Sequence, residues 1–361
     1  MKIAYGTPDE LGLAPGRISR FYREFWPKNT PLADEKIYHY LYRQPTETGV
    51  PAEASTVALD LSSDTIVAAM AARARAFYLP DGRCLNGVEM STWLVHPEHR
   101  SSGVGVKVLN TLKDRADFCL GASITSEARD IYLRLGFRWQ PALQRFVHAP
   151  DWTRLAGYVR DTNLAQRVAR ARASNLAPEV TIVAVDLAEL DGIEGMSGAA
   201  SFDRRASALR WRFLCNPFFD YRAIRIASGD LSTVVIFRSE PVGDVHVLRV
   251  VDIVGPLTAL KLVPTGLNML CAAESAVAID CFCSHAAAND AFSAAGWFTL
   301  PDDECVIDFP HLLTPLSARS PNSFSIVSWL RPSFRETLAS STLFITKQDC
   351  DMDRIAALTH G

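Results

Sequence analysis

The sequence predicts an α/β fold of the mixed-sheet (α+β) kind, present as two tandem units. Three observations predict it. Helical and strand-like periodicities follow one order, namely helix, helix, three strands, helix, strand, helix, strand. That order recurs in the second half. The segment Ala128-x-Asp130-x-Tyr132-x-x-x-Gly136-Phe137 also has the spacing of Ala288-x-Asp290-x-Phe292-x-x-x-Gly296-Trp297, and a duplicated unit accounts for the match. At 361 residues the chain is long enough for two cores. The expected division is a first domain over 1–150, a bridge over 151–180 and a second domain over 181–361.

Each element rests on a local pattern. Ile18, Phe21, Tyr22 and Phe25 recur at helical spacing before Pro27, and a second helix over Asp34–Arg43 closes at Pro45. Thr56–Leu61, Ile66–Tyr78 and Val88–Val95 read as an antiparallel meander, with Pro80-Asp81-Gly82 as one turn. Gly103–Ala116 carries Val104, Val108, Leu109 and Leu112 on one helical stripe; Phe118–Ile124 alternates as a strand, and Ala128–Leu135 returns to helix. The Arg- and Ala-rich stretch Trp152–Asn175 is expected to bridge the halves as a helix. The second half then shows a helix over Phe202–Phe213 and strands over Ala223–Ile226, Thr233–Phe237 and Val245–Val254. A helix over Leu260–Ala273, a strand over Val277–Cys283 and a helix over Ala286–Ala295 complete it. A fainter echo links Tyr40–Pro45 to Arg212–Pro217.

Composition narrows the function classes. With 48% apolar and 21% charged residues and a net charge of −3, the chain is ordinary globular protein without the basic footprint that phosphate-backbone binding requires. Nucleic acid is not an expected partner. Met1–Gly6 has no signal-peptide core and no apolar run nears the ~20 residues that cross a bilayer, so no membrane partner is expected and the expected location is the cytoplasm. The eight cysteines lack paired CxxC knuckles and read as reduced, mostly buried thiols, with Cys281 and Cys283 on one face of a strand. No metal site is expected. The run Asp349-x-Asp351-x-Asp353 lacks the glycine and closing glutamate of a calcium loop and reads as solvated carboxylates.

The most informative segment is Ser91–Gly105, a strand that passes through a short turn into a helix. Amides at such a turn, together with the helix N-terminus, form an anion cradle. Gly103 and Gly105 let main chain approach phosphates without a Cβ, and Arg100 can add charge-assisted hydrogen bonds. Arg100-x-x-Gly103-x-Gly105, preceded by Val95-His96-Pro97-Glu98, resembles the acyl-CoA-binding motif of the GNAT superfamily. Ala128-x-x-x-Tyr132-x-x-x-Gly136-Phe137 resembles that superfamily's next motif, so the resemblance covers residues 50–150.

The resemblance implies an acyl-CoA-dependent N-acyltransferase using acetyl-CoA or another short acyl-CoA, with no metal. Trp93, Leu94 and Val95 would line the pantetheine arm, and Arg100, Ser101, Ser102, Gly103, Val104 and Gly105 would hold the pyrophosphate. Thr125 stands where many members place an asparagine at the cofactor. Tyr132 would protonate the departing thiolate, and Glu89 would remove the amine proton through water. A core tyrosine and a salt-bridged glutamate are the blander readings of the same two residues. His96 and His99 are further candidates for the base.

The second half lacks an Arg-x-x-Gly-x-Gly loop between Val254 and Val277, and Phe292 carries no hydroxyl in the place of Tyr132. It is therefore expected to be a degenerate GNAT-like copy that shapes the acceptor cleft. Arg210–Phe213, Asn216-Pro217 and the terminal run from Thr346 to Arg354 resemble tandem GNAT proteins of bacterial surface-polysaccharide pathways. That looser resemblance implies an amino sugar on a nucleotide as acceptor. Arg204, Arg205, Arg210 and Arg212 could grip its diphosphate or simply form a charged helical face. Competing readings are acylation of an antibiotic, peptide or polyamine amine, and a non-catalytic acyl-CoA-binding module. A homodimer is compatible with the sequence.

Overall fold

The computed structural model describes residues 2–26, 30–43, 53–140, 143–154, 178–190, 193, 195–242, 244–300, 325–337, 342–350 and 352–353. The first half supplies β1 (Ile3–Gly6), β2 (Thr56–Asp60), β3 (Thr65–Tyr78), β4 (Cys84–Val95), β5 (Phe118–Ala122), β6 (Arg138–Gln140) and β7 (Gln144–His148). Its helices are α1 (Pro15–Phe25), α2 (Glu35–Tyr42), α3 (Val104–Asp114) and α4 (Ser126–Arg134). The second half supplies β8 (Thr181–Val185), β9 (Ser201–Phe202), β10 (Arg222–Ser228), β11 (Leu231–Val242), β12 (Val245–Val254), β13 (Ala278–Cys283), β14 (Phe298–Leu300) and β15 (Ile326–Leu330). Its helices are α5 (Ala206–Leu209, continuing as a π-helical turn over Arg210–Leu214), α6 (Val263–Ala273) and α7 (Ala286–Ala294).

These strands form two mixed sheets, with orders β1-β2-β3-β4-β5-β15-β6 and β14-β7-β13-β12-β11-β10-β8, and β9 pairs with β3. Within each sheet one parallel pair, β4 with β5 and β12 with β13, requires a helical crossover, which α3 and α6 provide. In the first half the predicted element order holds, with β1 and β7 added; in the second a single helix, starting at Ala206 rather than Phe202, precedes the three strands, and β8, β9 and β15 are added. Of Trp152–Asn175, only Trp152–Arg154 lies within the described residues.

The pleat divides the first sheet's apolar residues between two layers. Ala68, Met70, Ala72, Val88 and Met90 face α3 and α4, whose stripe of Val104, Val108, Leu109 and Leu112 is buried there. Leu59, Ile66, Ala69, Ala71 and Leu94 face the other way, onto α1 and α2. Neither layer reaches both sheets.

The halves exchange strands. Strand β7, which follows the first half's last helix, inserts between β13 and β14 of the second sheet, with Phe146 opposite Cys281 and Thr299. In return β15 inserts between β5 and β6 of the first, pairing Val327 with Gly121 and Trp139. The structure also makes the duplication exact in register: Asp117 N donates to Asn86 O as Val277 N does to His246 O, and Phe137 N donates to Tyr132 O as Trp297 N does to Phe292 O. Equivalent residues differ in number by 160 in each case, as 117 and 277 do.

A buried charge cluster holds the exchanged strand. Asp280 on β13 accepts from Arg145 of β7 at 2.6 Å and from Arg249 of β12 at 3.2 Å, and all three side chains are buried. Burial alone would raise the Asp280 carboxyl, but Arg249 and then Arg145 outweigh it and hold its pKa well below the ordinary carboxylate value. Replacing Asp280 by Asn removes the carboxylate that two buried guanidinium groups share, so the variant should lose ~3–5 kcal/mol at pH 7 in urea titration. Because the folded pKa is depressed, the stabilisation is present above the unfolded value near 3.9 and is lost as pH falls through the lower folded one. The gap between wild type and Asp280→Asn should therefore hold at pH 5 and shrink only in strong acid.

Candidate active site

Strands β4 and β5 pair in parallel from Gly87–Phe118 to Met90–Gly121 and then part. Past that point β5 continues beside β15, while among the described residues Ser91–Val95 of β4 keeps only β3 as a strand neighbour. A bulge accompanies the parting: Met70 faces Trp93 and Ala72 faces Met90, so β4 carries one extra residue at Ser91–Thr92. The result is a fork in which the outer part of β4 has no second strand among the described residues, although Thr92 O accepts from Tyr22 Oη at 2.8 Å; it is the geometry that receives an extended, amide-bearing chain.

The helix beyond the fork starts openly. Gly103 is the N-cap of α3 at φ +79°, and no side chain caps the helix. Its carbonyl accepts from Lys107 N, whereas the amides of the first turn have no intrahelical acceptor. Arg100, Ser101, Ser102 and Gly103 are exposed around this end, so an anion can reach it. Ser102 is tied back through its Oγ to His99 O at 2.7 Å. Val104 is buried under α3.

The two glycines do different things. A Cβ on Gly103 would meet nothing within 4 Å, and its requirement is the left-handed backbone. A Cβ on Gly105 would lie 2.7 Å from Val95 Cγ2 and 3.2 Å from the Trp93 ring, so Gly105 lets α3 seat on β4. Gly105 therefore meets a packing need in addition to any part in phosphate approach. Trp93 and Val95 pack on the α3 side and Leu94 is buried on the α1–α2 side. Trp93 Nε1 is buried without a hydrogen-bond partner beside the fork.

Tyr132 projects from α4 into the same place. Its ring lies 5.6 Å from that of Trp93 and 4.9 Å edge-on to Phe137. Burial pushes its phenol pKa up, with Cys119 and Cys350 acting in the same direction. Thr125 caps α4, its Oγ1 accepting from Ala128 N at 3.3 Å, which is a structural use of the position.

Glu89 lies on the opposite face of the sheet from Tyr132 and is fully buried. Its carboxylate accepts from Arg73 Nε at 2.8 Å, from Arg73 Nη2 and from Arg75 Nη1. Burial works to raise its pKa; Arg73 and Arg75 overcome that and hold it below the ordinary value. A small cavity opens here, lined by Leu41, Tyr42, Arg73, Glu89, Ser91 and Cys350. His96 lies outside it: its Nδ1 accepts from Glu98 N at 3.3 Å and its ring meets Phe25 edge-on, with the His99 ring tilted 5.5 Å away.

Sequence reasoning missed Arg73, Arg75 and Cys350. The two arginines carry a signal, since they alternate in the otherwise apolar run Ala71–Phe77 and so share a face with Glu89 across the ladder. Cys350 carries none. It arrives on the C-terminal segment, whose Asp349 pairs with Arg204 at 2.6 Å and Arg75 at 3.5 Å, and whose Asp353 pairs with Arg238 at 3.1 Å. Asp349 and Asp353 are completely buried, which overturns their reading as solvated carboxylates; Asp351 lies outside the described residues. The arginine cluster is also corrected. Arg204 and Arg212 are buried, bonded to Asp252 and Asp349 and to the Asp353 carbonyl, while Arg205 pairs with Asp203 and Arg210 donates to Ala188 O.

The second half keeps the fork's layout and closes it. Strands β12 and β13 part after Arg249–Asp280, and the bulge recurs where Ile236 faces Asp252 and Phe237 faces Val250. Here the C-terminal segment bridges the gap, with Ser284 N donating to Ile345 O, Gln348 N to Val251 O, and Thr346 Oγ1 to Asp252 at 2.7 Å. In place of the open turn, buried Ala259, Leu260 and Leu262 lead into α6, with Pro264 in its first turn. Phe292, the counterpart of Tyr132, stacks on Phe146 of the exchanged strand at 4.4 Å.

By sequence, the chain matches no family model and none of the curated proteins. Among solved structures, it is similar to a conserved protein of unknown function from Enterococcus faecalis V583, described as a probable N-acyltransferase. That match has 11% identity and a TM-score of 0.52, covering 91% of this chain and 72% of the other. A GCN5-related N-acetyltransferase from Anabaena variabilis matches at 13% identity and TM-score 0.48, over 91% and 73% of the two chains. Saccharomyces cerevisiae N-myristoyltransferase with bound myristoyl-CoA matches at 10% identity and TM-score 0.44, over 91% and 79%. The chain thus shares its α/β fold with the Enterococcus protein over 91% of this chain and 72% of the other.

The different needs of the two glycines give a direct check. Gly105→Ala should lower the melting temperature markedly, because Val95 and Trp93 must move to admit the methyl group. Gly103→Ala should cost only the ~1–2 kcal/mol of a left-handed non-glycine residue. Equal losses in the two variants would mean that the contact at Gly105 relaxes freely.

Proposed function

We propose that the chain is an acyl-CoA-dependent N-acyltransferase that moves an acetyl or short acyl group to a primary amine, by direct attack within a ternary complex. The observation that carries this reading is the meeting, at one fork, of parting parallel strands, an uncapped helix N-terminus and the phenol of Tyr132. The described residues fit acyl-CoA by the chemistry of their donors. Ser91–Val95 supplies strand main chain for the pantetheine amides, Trp93 Nε1 is an unused buried donor, and the first-turn amides of α3 with Arg100 suit a pyrophosphate.

Tyr132 holds the proton for the departing thiolate, and its raised pKa keeps it protonated at neutral pH. Glu89 is ionised but bound by two guanidinium groups, so it fixes the field of the cleft and takes up the amine proton. The acceptor enters on the Glu89 face, across the sheet from Tyr132. We retain an amino sugar on a nucleotide as its class, on the looser sequence resemblance alone, since Arg204 and Arg212 are committed to carboxylates and the terminal segment. A cytoplasmic location belongs to the same reading; no described helix is long and apolar enough to cross a membrane.

Tyr132→Phe keeps the ring and removes the hydroxyl, so folding and CoA affinity should change little while the single-turnover rate falls at least ~10²-fold. A near-wild-type single-turnover rate would reduce Tyr132 to a packing residue. Gly103→Val should weaken CoA binding at least tenfold, equivalent to ~1.4 kcal/mol. Calorimetry should also find one CoA per chain, because the terminal segment fills the second fork; a stoichiometry near two would refute that. Screening of nucleotide amino sugars against aminoglycosides and polyamines, read by thiol release from acetyl-CoA, tests the acceptor class.

A further inference from the structure

Cys350 stands where the two faces of the fork meet. Its Sγ lies 3.7 Å from Leu120 O, on the β5 residue that faces Glu89 of β4, one step before the strands part. It lines the small cavity together with Glu89 and with Ser91, the first β4 residue past the fork. The cavity it bounds is ≈ 10 Å³, room for the centre of about one water-sized group.

The segment bearing Cys350 is firmly held. Asp349 is locked between Arg75 and Arg204, Thr346 N donates to Asp349 Oδ2 at 2.9 Å, and Cys350 itself takes a left-handed backbone at φ +57°. Loops are mobile walls; this one is clamped by buried charge, so its position sets a volume.

Resting on the acyl-CoA reading above, we infer that Cys350 is the specificity-determining wall of the acyl site, and that the space it leaves between Glu89, Ser91 and β5 accepts the methyl of an acetyl group and rejects longer chains. A thioester seated at the fork directs its acyl carbon past Ser91 into this cavity, where one methyl occupies the room of one water. Each further methylene meets the Cys350 side chain. Selectivity of this steric kind reaches the tenfold range per group in rigid sites.

The test needs no acceptor. Calorimetry compares CoA, acetyl-CoA and butyryl-CoA on wild type, Cys350→Gly and Cys350→Met. Glycine suits a positive φ and so preserves the segment, whereas Met fills the cavity. Wild type should bind acetyl-CoA at least as well as CoA and butyryl-CoA at least tenfold more weakly. Cys350→Gly should bind butyryl-CoA and acetyl-CoA within threefold of each other, and Cys350→Met should weaken acetyl-CoA tenfold with CoA unchanged. The inference is overturned if wild type binds all three alike, or if the butyryl-to-acetyl ratio stays fixed in Cys350→Gly while its melting temperature matches wild type. Absence of CoA binding to wild type would instead remove the acyl-CoA reading, and this inference with it; should Cys350→Gly not fold, the Cys350→Met result decides.

Discussion

The carboxylate of Asp349 is the point on which the rest of the molecule turns. It reaches Arg204, which is shared with Asp252 of the second sheet, and Arg75, which is shared with Glu89 of the first. A chain of alternating buried charges thus runs from one half's cleft to the other's. Such pairs contribute little net stability against apolar replacements, yet removing one member leaves a buried charge unpaired and is severe. Their effect is to fix position. With Asp349 held, the terminal segment can lie in one place only, which closes one fork and finishes the other.

The duplication consequently has two outcomes from one plan. Both halves keep the parallel pair, the bulge and the aromatic stop after the helix, since each is set by backbone register. They differ in what enters the gap. In the first half the gap stays open beside a glycine-capped helix, and in the second it takes Ile345–Gln348. An aromatic without a hydroxyl suffices at Phe292 because its ring has only to stack.

Periodicity made most helices and strands legible, because each buries one stripe or one face against a single layer. Register made the repeat legible through Ala128–Phe137 and Ala288–Trp297. Strand exchange was hidden, for a strand's alternation says which face is buried and nothing about which sheet it joins. The acidic tail misled for a related reason: aspartates spaced two apart look solvated until three arginines from distant elements are placed around them. Within the site, Gly103 and Tyr132 stood out by spacing, whereas the roles of Gly105 and Thr125 depended on contacts and capping that only coordinates reveal.

The exchange of β7 and β15 has a consequence for how the molecule comes into being. During synthesis the first sheet emerges with an empty lane between β5 and β6, and its filler, Ile326–Leu330, follows only after the strands of the second half. The half that carries the fork must therefore wait, with a strand edge exposed, until the second half has been made. Contacts so distant in sequence form slowly, and an unfilled lane invites the wrong strand. A ribosome that stalls late, or a chain clipped after β14, would leave this edge available to a neighbouring copy, whose own β15 fits it as well as the native one does.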